Sequence, residues 1–254
     1  MALRYRIGRA FRWRPTQACE LSDLIRIHGE ADAPMIALAN GHESGWSVCW
    51  SVGSRLLLDL LSGAWRSSRE PIGTRAMAAL EEVQRRFPAR AQALLPDEPD
   101  DLSGPPGGTL LLATLDGATC RLDWIGPDLG LVIRGGAIVA RTIPHTLREL
   151  ARAQGMREED VSTVPPVVLR SISEHVTPGV DPRPDSLTCS LEAGDCVLLV
   201  NDDLLRAVPA ADLAACASTH PDPQALAEEL VRRAFEGGQI AYAAAAAVRC
   251  DAAS

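Results

Sequence analysis

The chain has 254 residues, a formal net charge of −8 and a pI near 5.2. A chain this acidic presents no basic surface, so nucleic acid and anionic membranes are excluded as partners. Hydrophobic residues make up 46% and charged residues 23%, which is typical of a globular domain. We expect one domain over residues 1–254, with a Pro-, Asp- and Gly-rich surface loop at about 96–108.

Cysteine usage and hydropathy predict a reduced, cytoplasmic location. The seven cysteines are scattered along the chain without a C-x-x-C spacing. Neither a zinc ribbon nor a thioredoxin-like redox motif is therefore predicted. We also expect no signal peptide, because the first residues lack an apolar segment. No apolar run approaches the ~20 residues that a membrane helix needs.

The first part of the chain predicts three strands followed by two helices. Apolar residues and Arg alternate loosely over 3–13, as in an edge strand with one solvated face. A second strand precedes a third at 34–39, which is predicted to end in a turn at 40–45. Apolar residues then recur at helical spacing over 46–61 and 73–94. Two long helices after these strands indicate a layered α+β fold.

The middle of the chain predicts a run of antiparallel strands. Four strand-like segments cover 109–115, 119–125, 130–133 and 137–142, with Gly-containing turns between them. Segments arranged in this way predict a meander. A short helix at 147–153 and a polar, Pro-rich stretch over 155–185 follow.

The last third of the chain contains the clearest strand. The uninterrupted apolar run 196–200 follows a Gly-Asp turn and predicts a strand buried on both faces. Pro209 and Pro223 are each suited to the first turn of a helix. A final strand is predicted over 239–249.

Three polar residues, Asn201, Asp202 and Asp203, come directly after the strand at 196–200. Carboxylates at the end of a buried strand indicate a role in binding a metal or a proton. The stretch resembles the G-D-x-(apolar)-S-D-G-L segment of the 2C-type (PPM) metal-dependent protein serine/threonine phosphatases. In that family the Asp after the strand ligates a catalytic Mg or Mn ion. Asp202 occupies its place, while Asn201 and Asp203 replace the family's Ser and Gly.

The order of the motifs resembles this family from about residue 6 to residue 250. The resemblance implies an α+β fold, an αββα sandwich of two antiparallel sheets flanked by helices. At the family's first motif, R-x-x-N-E-D, Asp23 keeps the acidic residue and Ala18 replaces the Arg. Arg12 and Arg14 either substitute for that Arg or are solvated surface residues.

The family's second motif, D-G-x-G-G, shows the most damaging replacement. Here the chain reads Asn40, Gly41 and His42. Gly41 keeps the position that offers its carbonyl to metal, but Asn40 replaces the Asp that bridges two ions. An amide brings no negative charge. Two divalent ions held close together need anionic ligands between them to offset their repulsion.

Two further motifs have also lost their acids. In V-G-D-S-R the Asp becomes Pro127, and Asp128 comes one residue late, so on an extended chain it should face the other way. The last motif, D-N-x-T, corresponds to residues from Gln239 to Ala243, among which no acid occurs. His145 matches the family's D-H-S/T motif. His42 and His145 are candidate general acids, or structural histidines held near the loops.

The residual metal positions are therefore Asp202, Gly41 and Asp23, and we assign no catalytic residue. We expect a degenerate member, a pseudophosphatase, that acts as a regulatory or binding subunit for a protein partner such as a kinase or phosphoprotein. No cofactor is expected, or Mg or Mn if any metal is retained. Two alternatives stay open: an active metal-dependent phosphatase with an atypical ligand set, and a structural subunit of a larger assembly.

Overall fold

The computed structural model describes residues 3–13, 24–30, 33–42, 50–93, 107–173, 181, 183–237, 240 and 242–253. The side chains of Glu30, His42 and residues 50–52 are not described. Asp23, Arg14 and Gln239 lie outside the described residues, as does the predicted surface loop up to residue 106.

The described elements come in runs of strands separated by runs of helices. In order they are β1 (Leu3–Trp13), β2 (Ile25–Glu30), β3 (Ala33–His42), α1 (Trp50–Ser67), α2 (Ile72–Gln92), β4 (Gly107–Asp116), β5 (Thr119–Ile125), β6 (Leu129–Arg134), β7 (Ala137–Arg141), α3 (Leu147–Ala153), α4 (Glu158–Val161), β8 (Asp185–Ser190), β9 (Cys196–Val200), α5 (Asp202–Ala207), α6 (Ala210–Thr219), α7 (Pro223–Gly237) and β10 (Tyr242–Ala252).

The strands form two five-stranded sheets. Sheet A has the order β1-β10-β9-β6-β7, and sheet B has the order β2-β3-β4-β5-β8. All the pairings within both sheets are antiparallel. The predicted α+β sandwich is therefore confirmed.

Three apolar layers hold the sandwich together. The inner faces of the two sheets pack on each other, with Leu38, Leu111 and Val197 among the buried residues. The outer face of sheet A packs on α5, α6 and α7, and that of sheet B packs on α1 and α2. β9 lies in the middle of sheet A and is buried along its whole length, as its uninterrupted apolar run predicts. Across the described residues, the helices are too short or too polar to span a membrane.

The predicted meander is wrong, because the chain changes sheets in the middle of it. β4 pairs with β5 in sheet B, whereas β6 pairs with β7 and β9 in sheet A. The crossing occurs at residues 126–128. Gly126 has a φ of +127°, which only glycine adopts without strain, and Pro127 has no N–H to continue a ladder.

The predicted turn after residue 39 is also wrong for its first residues. Asn40, Gly41 and His42 continue β3 and pair with Thr109, Gly108 and Gly107 of β4. A Cβ on Gly108 would collide with the Leu57 side chain of α1, so this glycine lets the helix pack closely on the strand ends. This packing carries Asn40 to the edge of the sandwich, beside the end of β9.

Candidate functional site

Asn40 joins the two sheets at the candidate site. Its side-chain nitrogen donates a hydrogen bond to Oδ1 of Asp202 at 3.0 Å. Its side-chain oxygen accepts a hydrogen bond from the hydroxyl of Tyr242. Asn40 belongs to sheet B, whereas Asp202 follows β9 and Tyr242 begins β10, both in sheet A. The amide therefore bridges the sheets with one donor and one acceptor.

The orientation of the Asn40 amide follows from the charges around it. A carboxylate accepts hydrogen bonds and does not donate them, so the NH₂ group belongs on the Asp202 side. The reverse orientation would place the amide oxygen against the Asp202 carboxylate. With Asn40 only 8% exposed, that repulsion would not be screened by water.

Asp128 contributes a second carboxylate to the site. Its Oδ2 accepts a hydrogen bond from the Thr109 hydroxyl at 2.8 Å, and its Oδ1 accepts one from the backbone N–H of Asp202 at 3.2 Å. The expectation that Asp128 faces the other way is wrong. Strand alternation applies to extended backbone, and the Gly126 turn rotates Asp128 into the site before β6 begins.

Burial governs the charge of this carboxylate. Asp128 is 1% exposed, and its removal from water raises its pKa to about 7. The neighbouring Asp202 carboxylate contributes to this rise, while hydrogen bonds from Thr109, the Asp202 amide and Asn40 oppose it. Burial also raises the pKa of Tyr242 well above its ordinary value. Asp128 therefore keeps its proton to a higher pH than an exposed carboxyl group does, and Tyr242 remains a hydrogen-bond donor.

Of the three polar residues after β9, Asp202 belongs to the site, and Asn201 and Asp203 make contacts that hold the surrounding structure. Asn201 accepts a hydrogen bond from the Ala244 N–H at 2.8 Å and fixes the end of β9 to β10. Asp202 points to the site, with its side chain 25% exposed. Asp203 is buried and pairs with Arg206, whose guanidinium also lies 3.7 Å from the Asp202 carboxylate. Arg206 therefore lies close to both carboxylates.

The other predicted positions are placed as follows. Gly41 donates its N–H to the Ser54 hydroxyl of α1 at 2.7 Å. Pro127 lies in the turn that delivers Asp128. Arg12 does not reach the site, because its guanidinium stacks on the Phe235 ring of α7 at 4.7 Å.

His145 is held in a fixed network beside the 126–128 turn. Its Nδ1 accepts a hydrogen bond from the Gly126 N–H at 3.1 Å, so the proton of the neutral ring lies on Nε2, which faces Asp185 at 3.1 Å. Arg170 donates to the other oxygen of that carboxylate at 2.9 Å. Burial lowers the pKa of His145; Asp185 opposes this shift and Arg170 adds to it. The ring also stacks on Trp124, at 5.9 Å between centroids. These contacts fit a histidine that supports the turn.

Tyr242 and Asp128 are the site residues that the sequence did not predict. Asp128 was visible as an acid one residue from the expected place. Tyr242 had a weaker signal, a single polar aromatic residue at the start of a run of alanines.

The resemblance implies a pair of Mg or Mn ions, and the described side-chain oxygens at this place are already engaged in hydrogen bonds or an ion pair. Both oxygens of Asp128 already accept hydrogen bonds, and the Asn40 oxygen accepts one from Tyr242. The group that Asn40 turns toward Asp202 is a donor, which repels a cation. Within the described ranges, no three or more His, Cys, Asp or Glu residues come together as a metal site.

Comparisons with known proteins give relatives by structure alone. No family model matches the sequence, and no curated protein matches it either. The S. agalactiae serine/threonine phosphatase superposes with a TM-score of 0.79 and 20% identity, over 96% of this chain and 99% of that one. The PstP catalytic domain, solved with two manganese ions, gives a TM-score of 0.75 and 19% identity, over 98% and 100%.

PppA of Pseudomonas aeruginosa, described as a key regulatory component of T6SS, gives a TM-score of 0.70 and 19% identity, over 98% of this chain and 99% of that one. At these identities the likeness establishes the fold. The chain has the fold of the PPM-type serine/threonine phosphatases over almost its whole length, and the resemblance predicted from its motifs is confirmed at that level.

Proposed function

We propose that this chain is a pseudophosphatase, a non-catalytic protein of phosphatase 2C-like fold that acts as a regulatory or binding subunit for a protein partner. The observation that carries the proposal is the hydrogen bond from the Asn40 amide to Asp202. At this place the resemblance implies a carboxylate shared by two ions. The chain has instead a neutral group that binds the carboxylate directly.

Charge balance supports a non-catalytic role. Two divalent ions about 4 Å apart repel each other by on the order of 15 kcal/mol at an effective dielectric constant near 20. The described carboxylates at the site are Asp128 and Asp202. Both oxygens of Asp128 already accept hydrogen bonds, and Arg206 lies 3.7 Å from the Asp202 carboxylate. Two carboxylates engaged in this way offset less of that repulsion than a bridging carboxylate with free oxygens would.

The partner is inferred from the fold and from exposed apolar side chains. PppA, which shares the fold, is described as a regulatory component, and we extend a regulatory role to this chain by analogy. Ile143, Leu150 and Val167 are exposed apolar residues of one segment, in which the Leu147 N–H donates to the Val167 carbonyl at 2.9 Å. Exposed apolar residues on one segment favour a protein partner, with a kinase or a phosphoprotein as our candidates.

The second candidate function is an active Mn- or Mg-dependent protein serine/threonine phosphatase with an atypical ligand set. The observation that favours it is the position of Asp128, an unexpected acid whose Oδ1 bonds the backbone of Asp202. The proteins that share the fold of this chain are also named as phosphatases, and one of them was solved with two manganese ions. In this case Asp128 and Asp202 would together replace the missing bridging carboxylate.

One set of measurements separates these functions. Calorimetric titration with MnCl₂ is expected to give no binding at millimolar concentration, and phosphopeptide is expected to show no Mn-dependent release of phosphate. Turnover that requires Mn and disappears in Asp202→Ala would establish the phosphatase and end the preferred proposal. The Asp203→Ala variant is the matched control, because it removes the neighbouring carboxylate, which pairs with Arg206, and keeps Asp202.

The binding role has its own test. We expect a kinase or phosphoprotein to co-purify in fixed stoichiometry with the wild-type protein and to be lost from an Ile143→Asp, Leu150→Asp double variant. Retention of that partner by the double variant would show that Ile143 and Leu150 do not form the binding surface. A stable complex of several different proteins would instead favour a structural subunit of a larger assembly.

A further inference from the structure

Two cysteines that are far apart in the sequence face each other across sheet B. Cys120 of β5 and Cys189 of β8 are direct partners in the antiparallel register. The Leu191 N–H donates to the Ala118 carbonyl at 2.8 Å, and hydrogen-bonded pairs recur every second residue along the ladder. The cysteines thus occupy a hydrogen-bonded pair, in which the Cα atoms are about 5.5 Å apart. Disulfides span Cα separations of about 4.4–6.8 Å.

The two thiols differ in exposure. Cys120 is fully buried in the core between the sheets, whereas Cys189 is half-buried, because β8 is the edge strand of sheet B. A small reagent can therefore reach Cys189 from the edge and reach Cys120 only through it. Both side chains lie on the inner face of the sheet, so neither strand has to turn. The Cβ atoms of a hydrogen-bonded pair are about 5.5 Å apart and a disulfide needs about 3.5–4.5 Å, so the edge strand β8 must move slightly toward β5.

The thiols also differ in acidity. The interaction between the two thiols lowers the pKa of Cys189 and raises that of Cys120. Burial raises both pKa values; at Cys189 the Asp195 carboxylate also opposes the lowering, and Arg134 adds to it. The more exposed cysteine is therefore the better nucleophile, which is the arrangement of a reactive and a resolving thiol.

We propose that Cys120 and Cys189 are a redox site that forms a reversible disulfide on exposure to a hydroperoxide. The proposal is independent of any phosphatase or partner-binding role. It rests on the strand register, the shared inner face of the two side chains and the exposure of one of them.

The chemistry balances with hydrogen peroxide as the oxidant. The Cys189 thiolate attacks one peroxide oxygen, the O–O bond breaks, and the leaving hydroxide takes a proton to become water. The resulting sulfenic acid is attacked by the Cys120 sulfur; an S–S bond forms, the S–O bond breaks, and a second water leaves with the Cys120 proton. Two electrons pass from the thiol pair to the peroxide, and an external thiol reverses the change by exchange.

Two other buried cysteines, Cys196 and Cys250, lack this arrangement. Burial raises the pKa of Cys196 to about 11 and that of Cys250 to about 12, which keeps both thiols protonated and weakly reactive. The partner of Cys250 across β1 is Tyr5, and that of Cys196 across β10 is Arg249. Neither has a cysteine opposite it.

Oxidation should stabilise β8, the edge strand that begins beside His145. β8 pairs with the rest of sheet B on one side only, and it begins at Asp185, which holds Arg170 and faces His145. A disulfide at Cys189 would fasten this edge strand to β5. Closing a loop of this length should raise the melting temperature by roughly 5–10 °C.

The test uses the whole reduced chain treated with a few equivalents of hydrogen peroxide, then alkylated and digested for mass spectrometry. We expect a peptide pair linked through Cys120 and Cys189, a loss of two free thiols, and reversal by dithiothreitol. A full count of free thiols, a link between any other pair, or Cys189 accumulating as sulfinic acid without a link would each overturn the proposal.

Variants test the assigned roles. Cys120→Ser should leave a sulfenic acid on Cys189 that dimedone labels, and Cys189→Ser should abolish both the link and the rise in melting temperature. Cys250→Ser is the matched control and should form the link at the wild-type rate. Dimedone labelling of Cys120 in Cys189→Ser would contradict the assigned order. If a variant fails to fold, the wild-type peptide map decides by itself.

Discussion

The side-chain nitrogen of Asn40 lies 3.0 Å from Oδ1 of Asp202 and joins sheet B to the end of β9 in sheet A. The Tyr242 hydroxyl completes the arrangement on the other side of the amide. In this protein a neutral hydrogen-bonded group therefore links the two sheets where the family resemblance predicts charges and cations. The stability of the site should depend on neutrality at position 40.

The first prediction concerns Asn40→Asp. The new carboxylate would face Asp202 and lie beside Asp128, so it would lose the hydrogen bond and add like-charge repulsion. We expect the free energy of unfolding to fall by about 1–3 kcal/mol at pH 7.5. Because the added charge also completes a more anionic site, millimolar MnCl₂ should restore part of the loss. Urea denaturation with and without MnCl₂ measures both effects.

Asn40→Ala is the control for this prediction. It removes the same hydrogen bond without adding charge, so its stability should fall by a similar amount and not respond to MnCl₂. An Asn40→Asp protein that is as stable as the wild type, or as indifferent to MnCl₂ as Asn40→Ala, would contradict the role given to neutrality at this position.

The second prediction concerns the pH dependence that Asp128 produces. Its pKa is about 7 in the folded protein and 3.8 in an unfolded chain, so between these values the folded state binds more protons than the unfolded state. The stabilisation that this group contributes is therefore fully present below pH 3.8 and is lost as the pH rises through 7. Raising the pH from 5.5 to 8 should cost the wild type about 2 kcal/mol through this group.

Asp128→Asn isolates that contribution, because an amide does not titrate. His28 and His145 have lowered pKa values and act in the opposite direction, but they are present in both proteins and cancel in the difference. Denaturation curves at pH 5.5 and 8 should show the wild type losing its advantage over Asp128→Asn as the pH rises. A difference that stays constant over this range would show that Asp128 is ionised throughout it.

Much of the fold could be predicted because buried runs and amphipathic periods are local signals. The run at 196–200 gave β9 with its observed bounds, and the alternation over 3–13 gave the edge strand β1. The passage of the chain from sheet B to sheet A at Gly126 could not be predicted from such local signals. Two hairpins in different sheets have the same local pattern as one meander, and only long-range pairing with β9 separates them.

Site residues that belong to a family motif could be predicted from the sequence. The orientation of a side chain that depends on a turn of the backbone could not. Asp202 and Asn40 lie together as the resemblance implies. Asp128 was assigned to the wrong side because the alternation rule was applied to a turn. The Cys120 and Cys189 pair has no sequence spacing to reveal it, because its partners meet only through the β5 and β8 register.

The third prediction compares the two tyrosines of the chain. Tyr242→Phe removes the donor to the buried oxygen of Asn40, so an acceptor is left unpaired and the free energy of unfolding should fall by about 1–3 kcal/mol. Tyr5 donates at 2.6 Å to the carbonyl of Gly117, which lies exposed in a hairpin turn where water can replace the bond. Tyr5→Phe should therefore cost less. Equal losses in the two variants would show that the Asn40 oxygen is not buried as described.

The last prediction concerns the turn that delivers Asp128. Gly126 has a φ of +127°, and a Cβ there would collide with the Thr109 side chain, which itself holds Asp128. Gly126→Ala should lower the free energy of unfolding by about 3 kcal/mol or more, because backbone strain and the collision act together. Gly117→Ala is the matched control, since its φ is +58° and no atom lies within 4 Å of the new methyl group. Its cost should be about 1 kcal/mol. Thermal or urea denaturation ranks the two variants, and a Gly126→Ala protein as stable as Gly117→Ala would mean that the turn, and with it the inward position of Asp128, is not fixed by this glycine.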